Sequence, residues 1–174
     1  MGDGGRGPEL YHVVLSPGYG TQTIDDFYQG TKAALRGGTT MVVDMVTPHK
    51  EETMIESLAR WRGWADDKVC CDYALKMAVH NITQETKQEM KELSSAEYGV
   101  TAFTCFMSGR DRMMNEPEMI EALDTVAEIG GVAFVHAENG DIIEDCEKKM
   151  LEAGITGPEG HAMAHPEEAE VRLL

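Results

Sequence analysis

An α/β fold of parallel strands joined by helical crossovers is predicted by three features of this chain. Short apolar runs of strand length alternate with longer stretches of helical periodicity. Two of those runs follow Gly-Gly pairs, Gly37-Gly38 and Gly130-Gly131, which break whatever helix precedes them. No internal repeat is present, and low complexity is confined to the Gly-rich first seven residues. The pattern alone fits either a doubly wound sheet or a (β/α)8 barrel.

Four strands are expected. Met41–Val46 is a short apolar run and reads as a buried strand. Cys71–Val79 alternates and forms the second. Val100–Met107 follows Gly99, and Val132–His136 follows the second Gly-Gly pair.

Helices fill the gaps. Ile24–Leu35 turns Phe27, Thr31, Ala34 and Leu35 toward one side and stops at Gly37. In Glu52–Ala65, the residues Met54, Ile55, Leu58, Trp61 and Ala65 recur at helical spacing. Gln84–Leu93 is shorter and more polar. Glu116–Ile129 starts beside Asn115 as N-cap with Pro117 in its first turn, carries Met119, Ile120, Leu123 and Val126 as its apolar stripe, and ends at Gly130. Ile142–Leu151 stops before Gly154, and Pro166–Val171 reads as a further helix start.

The composition narrows the function classes. With 42% hydrophobic and 26% charged residues, the 174-residue chain is long enough for one domain with a substantial core. A net charge of −16 disfavours nucleic acid and anionic membrane surfaces alike, because like charges repel. Met1–Gly7 has no apolar signal-like stretch, so a cytoplasmic protein is expected. Cys70, Cys71, Cys105 and Cys146 form no CxxC pair, which points to reduced, packed thiols. The twelve methionines and the pair Trp61 and Trp64 are expected in packing roles.

Several blocks occur in one order: Ile24–Leu35, Gly37–Met41, Trp61–Asp66, Val69–Tyr73, Val135–Gly140 and Gly154–His161. Together they resemble the dihydropyrimidinase family of the amidohydrolase superfamily, over roughly Pro17 to Val171. The resemblance selects the barrel. It implies a partial (β/α)8 TIM-type barrel of roughly the first four βα units over residues 17–174, after an irregular segment at 1–16 that matches the family poorly. A barrel needs eight strands, so the chain is expected to be part of a longer polypeptide or a truncated product.

Active members of that family resemble one another in a two-zinc site. It is built from an H-x-H pair on the first strand, a carboxylated lysine bridging the metals, two further histidines and an aspartate. Residues i and i+2 share one face of a strand, which lets two imidazoles reach one ion. Here the H-x-H positions fall on Tyr11 and Val13, with His12 between them on the opposite face. The family's Phe-Lys-x-Phe corresponds to Phe103-Thr104-Cys105-Phe106, where threonine cannot be carboxylated. A tyrosine thought to hydrogen-bond the substrate carbonyl falls on Gly109. His136 alone keeps a zinc-ligand position, as a residual metal residue, and one imidazole does not make a zinc site.

No catalytic residue is therefore expected. The resemblance points to the non-catalytic branch, the collapsin response mediator proteins. These are cytosolic adaptors that form oligomers with family members, bind tubulin and act in axon guidance. No cofactor is expected on that branch. The alternative is a dihydropyrimidinase, a zinc-dependent hydrolase of the cyclic amide of 5,6-dihydropyrimidines. His161 and His165 have helical i, i+4 spacing, but Pro158, Gly160 and Pro166 argue for a turn there rather than a ligand-bearing helix.

Overall fold

The computed structural model describes residues 9–10, 23–109 and 112–171. Five parallel strands lie in sequence order: β1 (Glu9–Leu10), β2 (Met41–Val46), β3 (Asp72–Val79), β4 (Ala102–Phe106) and β5 (Val132–His136). Helices α1 (Phe27–Arg36), α2 (Met54–Ala65), α3 (Gln84–Leu93) and α4 (Glu116–Glu128) make the crossovers, and α5 (Gly140–Glu152), α6 (Glu159–Ala164) and α7 (Glu167–Val171) follow β5. Consecutive order without a reversal is the wall of a barrel rather than a doubly wound sheet, whose strand order turns back on itself. The two-residue β1 adds a strand to the four the sequence predicts, in register with β2 through Glu9↔Val42 and Leu10↔Val43.

Helix starts fall where side chains cap them. Asp26 accepts from Gln29 N at 3.0 Å, so α1 begins at Phe27 rather than Ile24. Thr53 and Glu56 form a reciprocal capping box that starts α2 at Met54, which leaves Glu52 outside the helix. Asn115 and Glu118 repeat the device at α4, with Pro117 in the first turn. Asn139 caps α5 and brings its start forward to Gly140.

Correction is needed at His161. The segment expected to be a turn is helical over Glu159–Ala164, with His165 at its C-cap. Pro158, at φ −58 and ψ −27, already holds helical geometry and opens the helix instead of breaking it. Gly160 packs close to Ile155, within 3.5 Å of where a Cβ would stand.

Strand pairing sorts the side chains into two faces. On the outer, helix-facing side Val46, Leu75, Met77, Val79, Phe103 and Cys105 join Phe27, Leu58, Trp61, Met90 and Val126 in one buried core. The inner face carries Lys76, Ala78, Thr104, Phe106, Phe134 and His136, with Ala78↔Thr104↔Phe134 forming one rung and Phe106↔His136 the next. β5 borders the sheet with both faces largely uncovered, and Val132 remains 56% exposed.

Candidate functional site

Of the sequence-derived candidates, Thr104 lies on β4, Gly109 in the loop after it and His136 at the end of β5. His80 follows the last residue of β3, and its ring centroid lies 6.3 Å from that of Phe106. Phe106 in turn lies 6.2 Å from His136, so the two imidazoles flank one phenyl ring at the top of the sheet. His80 continues the inner-face alternation Lys76-Ala78-His80, but it is the pairing of β3 with β4 that brings it beside Phe106, and the sequence alone does not give that pairing.

His136 Nε2 lies 2.8 Å from Glu138 Oε2, the carboxylate being the more enclosed partner. That pairing occupies the nitrogen farthest from the backbone. His136 and Glu138 share a cavity of about 260 Å³ with Ser108, Gly109, Arg112 and His165. The Arg112 guanidinium sits 4.7 Å above the Phe106 ring, supplying a positive charge close to both histidines. Burial, followed by the Arg112 charge, pushes the His80 imidazole below its ordinary value and keeps it neutral near pH 7. A larger cavity of about 720 Å³ is lined by the β2–α2 and β3–α3 loops, among them His49, Glu52, His80 and Asn81.

Thr104 occupies the middle of β4, 5% exposed, and its Oγ1 is buried without a hydrogen-bond partner. A threonine side chain is far shorter than the lysine whose position it takes, so it leaves its hydroxyl below the rung of His136. Gly109 has φ +94, in the left-handed region that side chains avoid. A tyrosine there would face backbone strain, and its Cβ would meet Arg112 Nε at 2.9 Å. The loop conformation at this point is therefore one that glycine favours, beyond lacking a phenol.

Among the described residues no three His, Cys, Asp or Glu side chains are grouped as a metal would require. Tyr11, His12 and Val13 lie outside the described residues. His161 and His165 stand together, with ring centroids 4.3 Å apart and His165 Nδ1 2.8 Å from the His161 carbonyl oxygen. That contact ties a His165 ring nitrogen to the helix C-terminus, and only His165 of the two lines the cavity of His136. All four cysteines are free; Cys70 is exposed, while Cys105 is buried and its thiol is pushed up to about 11.

Comparison with known proteins gives a consistent result. No family model matches the chain. It is 50% identical over 170 residues to a dihydropyrimidinase of Rattus norvegicus, covering 96% of this chain and 33% of that protein. It is 45% identical over 148 residues to dihydropyrimidinase-related protein 5 of Homo sapiens, covering 84% and 26% respectively. Among solved structures, a dihydropyrimidinase from Brevibacillus agri superposes with a TM-score of 0.88 at 34% identity, over 95% of this chain and 36% of that one. A D-hydantoinase from Bacillus sp. AR9 gives 0.88 at 32% identity, with the same shares covered. The chain thus spans about a third of the length of these relatives. The ordered blocks, the barrel-wall topology and these likenesses agree: the chain belongs to the dihydropyrimidinase and dihydropyrimidinase-related family of amidohydrolase-like proteins.

Proposed function

We propose that this chain is a non-catalytic, dihydropyrimidinase-related protein, a cytosolic adaptor of the collapsin response mediator type that works through assembly and cytoskeletal contact. The observation that carries this reading is Thr104. Where the family chemistry needs a lysine long enough to place an anion between two metals, this chain has a short, buried hydroxyl that no neighbour satisfies. Gly109 supports it, because its backbone disfavours the side chain the chemistry would use. No zinc-dependent step is assigned to these residues.

Oligomers with family members and contact with tubulin are the partners this reading implies. A barrel relieved of chemistry keeps its surfaces for assembly, since fold and activity are separable. Nucleic acid and membranes are not among the partners proposed: the charge of −16 repels phosphate, and no helix of the described residues is long and apolar enough to cross a bilayer. The second reading, a dihydropyrimidinase, is favoured by the higher identity to the Rattus norvegicus enzyme, 50% against 45% for the human related protein.

A transplant separates the two. Threonine and glycine are placed in the Rattus norvegicus dihydropyrimidinase at the positions matching Thr104 and Gly109, and hydrolysis of dihydrouracil is followed. Turnover is expected to fall by about 100-fold or more with the fold retained, as loss of a key polarising group does elsewhere. Near-native turnover would overturn the non-catalytic reading. Co-sedimentation of the 174-residue chain with polymerised tubulin is expected, and its absence would remove tubulin as partner.

A further inference from the structure

The cavity of about 720 Å³ lined by the β2–α2 and β3–α3 loops shares no lining residue with the cavity of His136, and the adaptor function makes no use of it. Its size is that of a small-molecule pocket, roughly 300 to 1,000 Å³. Two polar groups of its lining are unsatisfied. Thr47 is only 9% exposed, and its hydroxyl makes no hydrogen bond among the described residues. His80 Nε2 is buried and has no partner either. Buried polar groups are ordinarily hydrogen-bonded, so two orphans in one cavity mark it as built to receive a polar ligand.

The loop itself does not need the Thr47 hydroxyl. Arg60 Nη2 donates to the Thr47 carbonyl oxygen at 3.4 Å, and Glu52 accepts from Arg60 Nε at 2.8 Å and from the His49 backbone N–H at 3.0 Å. These bonds brace the loop and use up the Glu52 charge. Glu51, Glu85 and Glu89 remain, set against the single lysine of the lining, Lys50. None of the three forms an ion pair within 4.0 Å among the described residues. Glu89 is also held in place, since its Oε2 accepts from the Met54 backbone N–H at 3.0 Å. An anion entering here meets repulsion, whereas a cation is attracted. The carboxylates stand on two elements, the β2–α2 loop and α3, which suits positive charge at more than one point.

We propose that this cavity binds a short polyamine, with N–H groups of the ligand donating to Thr47 Oγ1 and His80 Nε2 and its charge met by Glu51, Glu85 and Glu89. The two acceptors need not adjoin, because a polyamine carries N–H groups at several points along its chain. A bound water could satisfy the orphaned atoms but would leave the carboxylates unbalanced. No bond is made or broken, and the site depends neither on zinc nor on the adaptor reading.

Calorimetric titration tests it. Spermidine is titrated into the 174-residue chain in about 0.15 M sodium chloride, which screens the exposed surface more than an enclosed site. Binding at one site per chain is expected. Thr47→Val keeps the shape of the side chain, and Glu89→Gln keeps an oxygen for Met54 N. Each should raise Kd by about fivefold or more with an unchanged melting curve, and His80→Phe should do the same. Asp124→Asn removes one exposed charge on α4, away from the cavity, and should leave Kd as it was. Absence of binding would overturn the proposal. So would several weak sites, or an Asp124→Asn effect as large as that of Glu89→Gln, since either is diffuse attraction to a chain of charge −16. An unchanged Kd in both Thr47→Val and His80→Phe would overturn it as well.

Discussion

Thr104 shows how one side chain decides what a barrel strand can do. Its hydroxyl has left water without gaining a hydrogen bond, which costs stability that a methyl group of the same shape would not. Thr104→Val is accordingly expected to stabilise the chain, by up to about 1 kcal/mol in urea denaturation. The opposite case is Glu52. Its carboxylate takes the Arg60 Nε at 2.8 Å and the His49 backbone N–H at 3.0 Å, while the Arg60 guanidinium stacks 4.5 Å from the Trp61 ring. The Arg60 hydrogen bond leads in holding this carboxyl below its ordinary 4.5, against a smaller opposing effect of burial. A carboxylate with a lowered folded pKa contributes stability that is complete above the unfolded value and fades as pH falls through the folded one. Acid denaturation should therefore show a component below about pH 4.5 that Glu52→Gln removes, with a loss of roughly 1–3 kcal/mol at neutral pH.

At the scale of elements, local caps set boundaries that hydrophobic spacing could not. The apolar stripe of α2 was readable because Leu58, Trp61 and Ala65 recur at helical intervals and are buried in the core, whereas on α4 Met119 and Val126 of the expected stripe are buried and Ile120 and Leu123 are exposed. The start of α2 was misplaced by two residues, since Glu52 looks like a first-turn acid yet serves Arg60 from outside the helix. Asn115 was legible as a cap, and Asn115→Ala is expected to cost about 1 kcal/mol by thermal melting, because Glu118 N would lose its partner. The helix at Glu159–Ala164 escaped notice because Gly and Pro carry opposite meanings inside a helix and at its first turn. His80 escaped for a different reason. Its place beside Phe106 comes from strand register, which brings β3, β4 and β5 side by side, and one strand's sequence does not contain its neighbour's alignment.

For the whole molecule, the five parallel strands follow chain order and one core lies between them and the helices. Parallel sheets are ordinarily covered on both faces, yet β5 leaves Val132 and Val135 open, and Ile120 and Leu123 on α4 are exposed as well. An open strand edge with apolar neighbours favours association, whereas a charge of −16 opposes it. Size-exclusion chromatography should thus show self-association that grows with protein and salt concentration, and Val135→Lys should reduce it. Association unaffected by salt or by that substitution would place the contact elsewhere.

The most direct test of the central proposal, that the described residues, with Thr104 at the lysine position, do not hold a catalytic pair of metals, is a count of bound metal. The purified 174-residue chain, equilibrated with zinc and then desalted, is analysed by inductively coupled plasma mass spectrometry. Fewer than about one zinc per chain is predicted, since a catalytic zinc draws on about three protein ligands and His136 supplies one, already paired with Glu138. Two tightly held zinc ions per chain, lost on substitution of His136, would contradict the account.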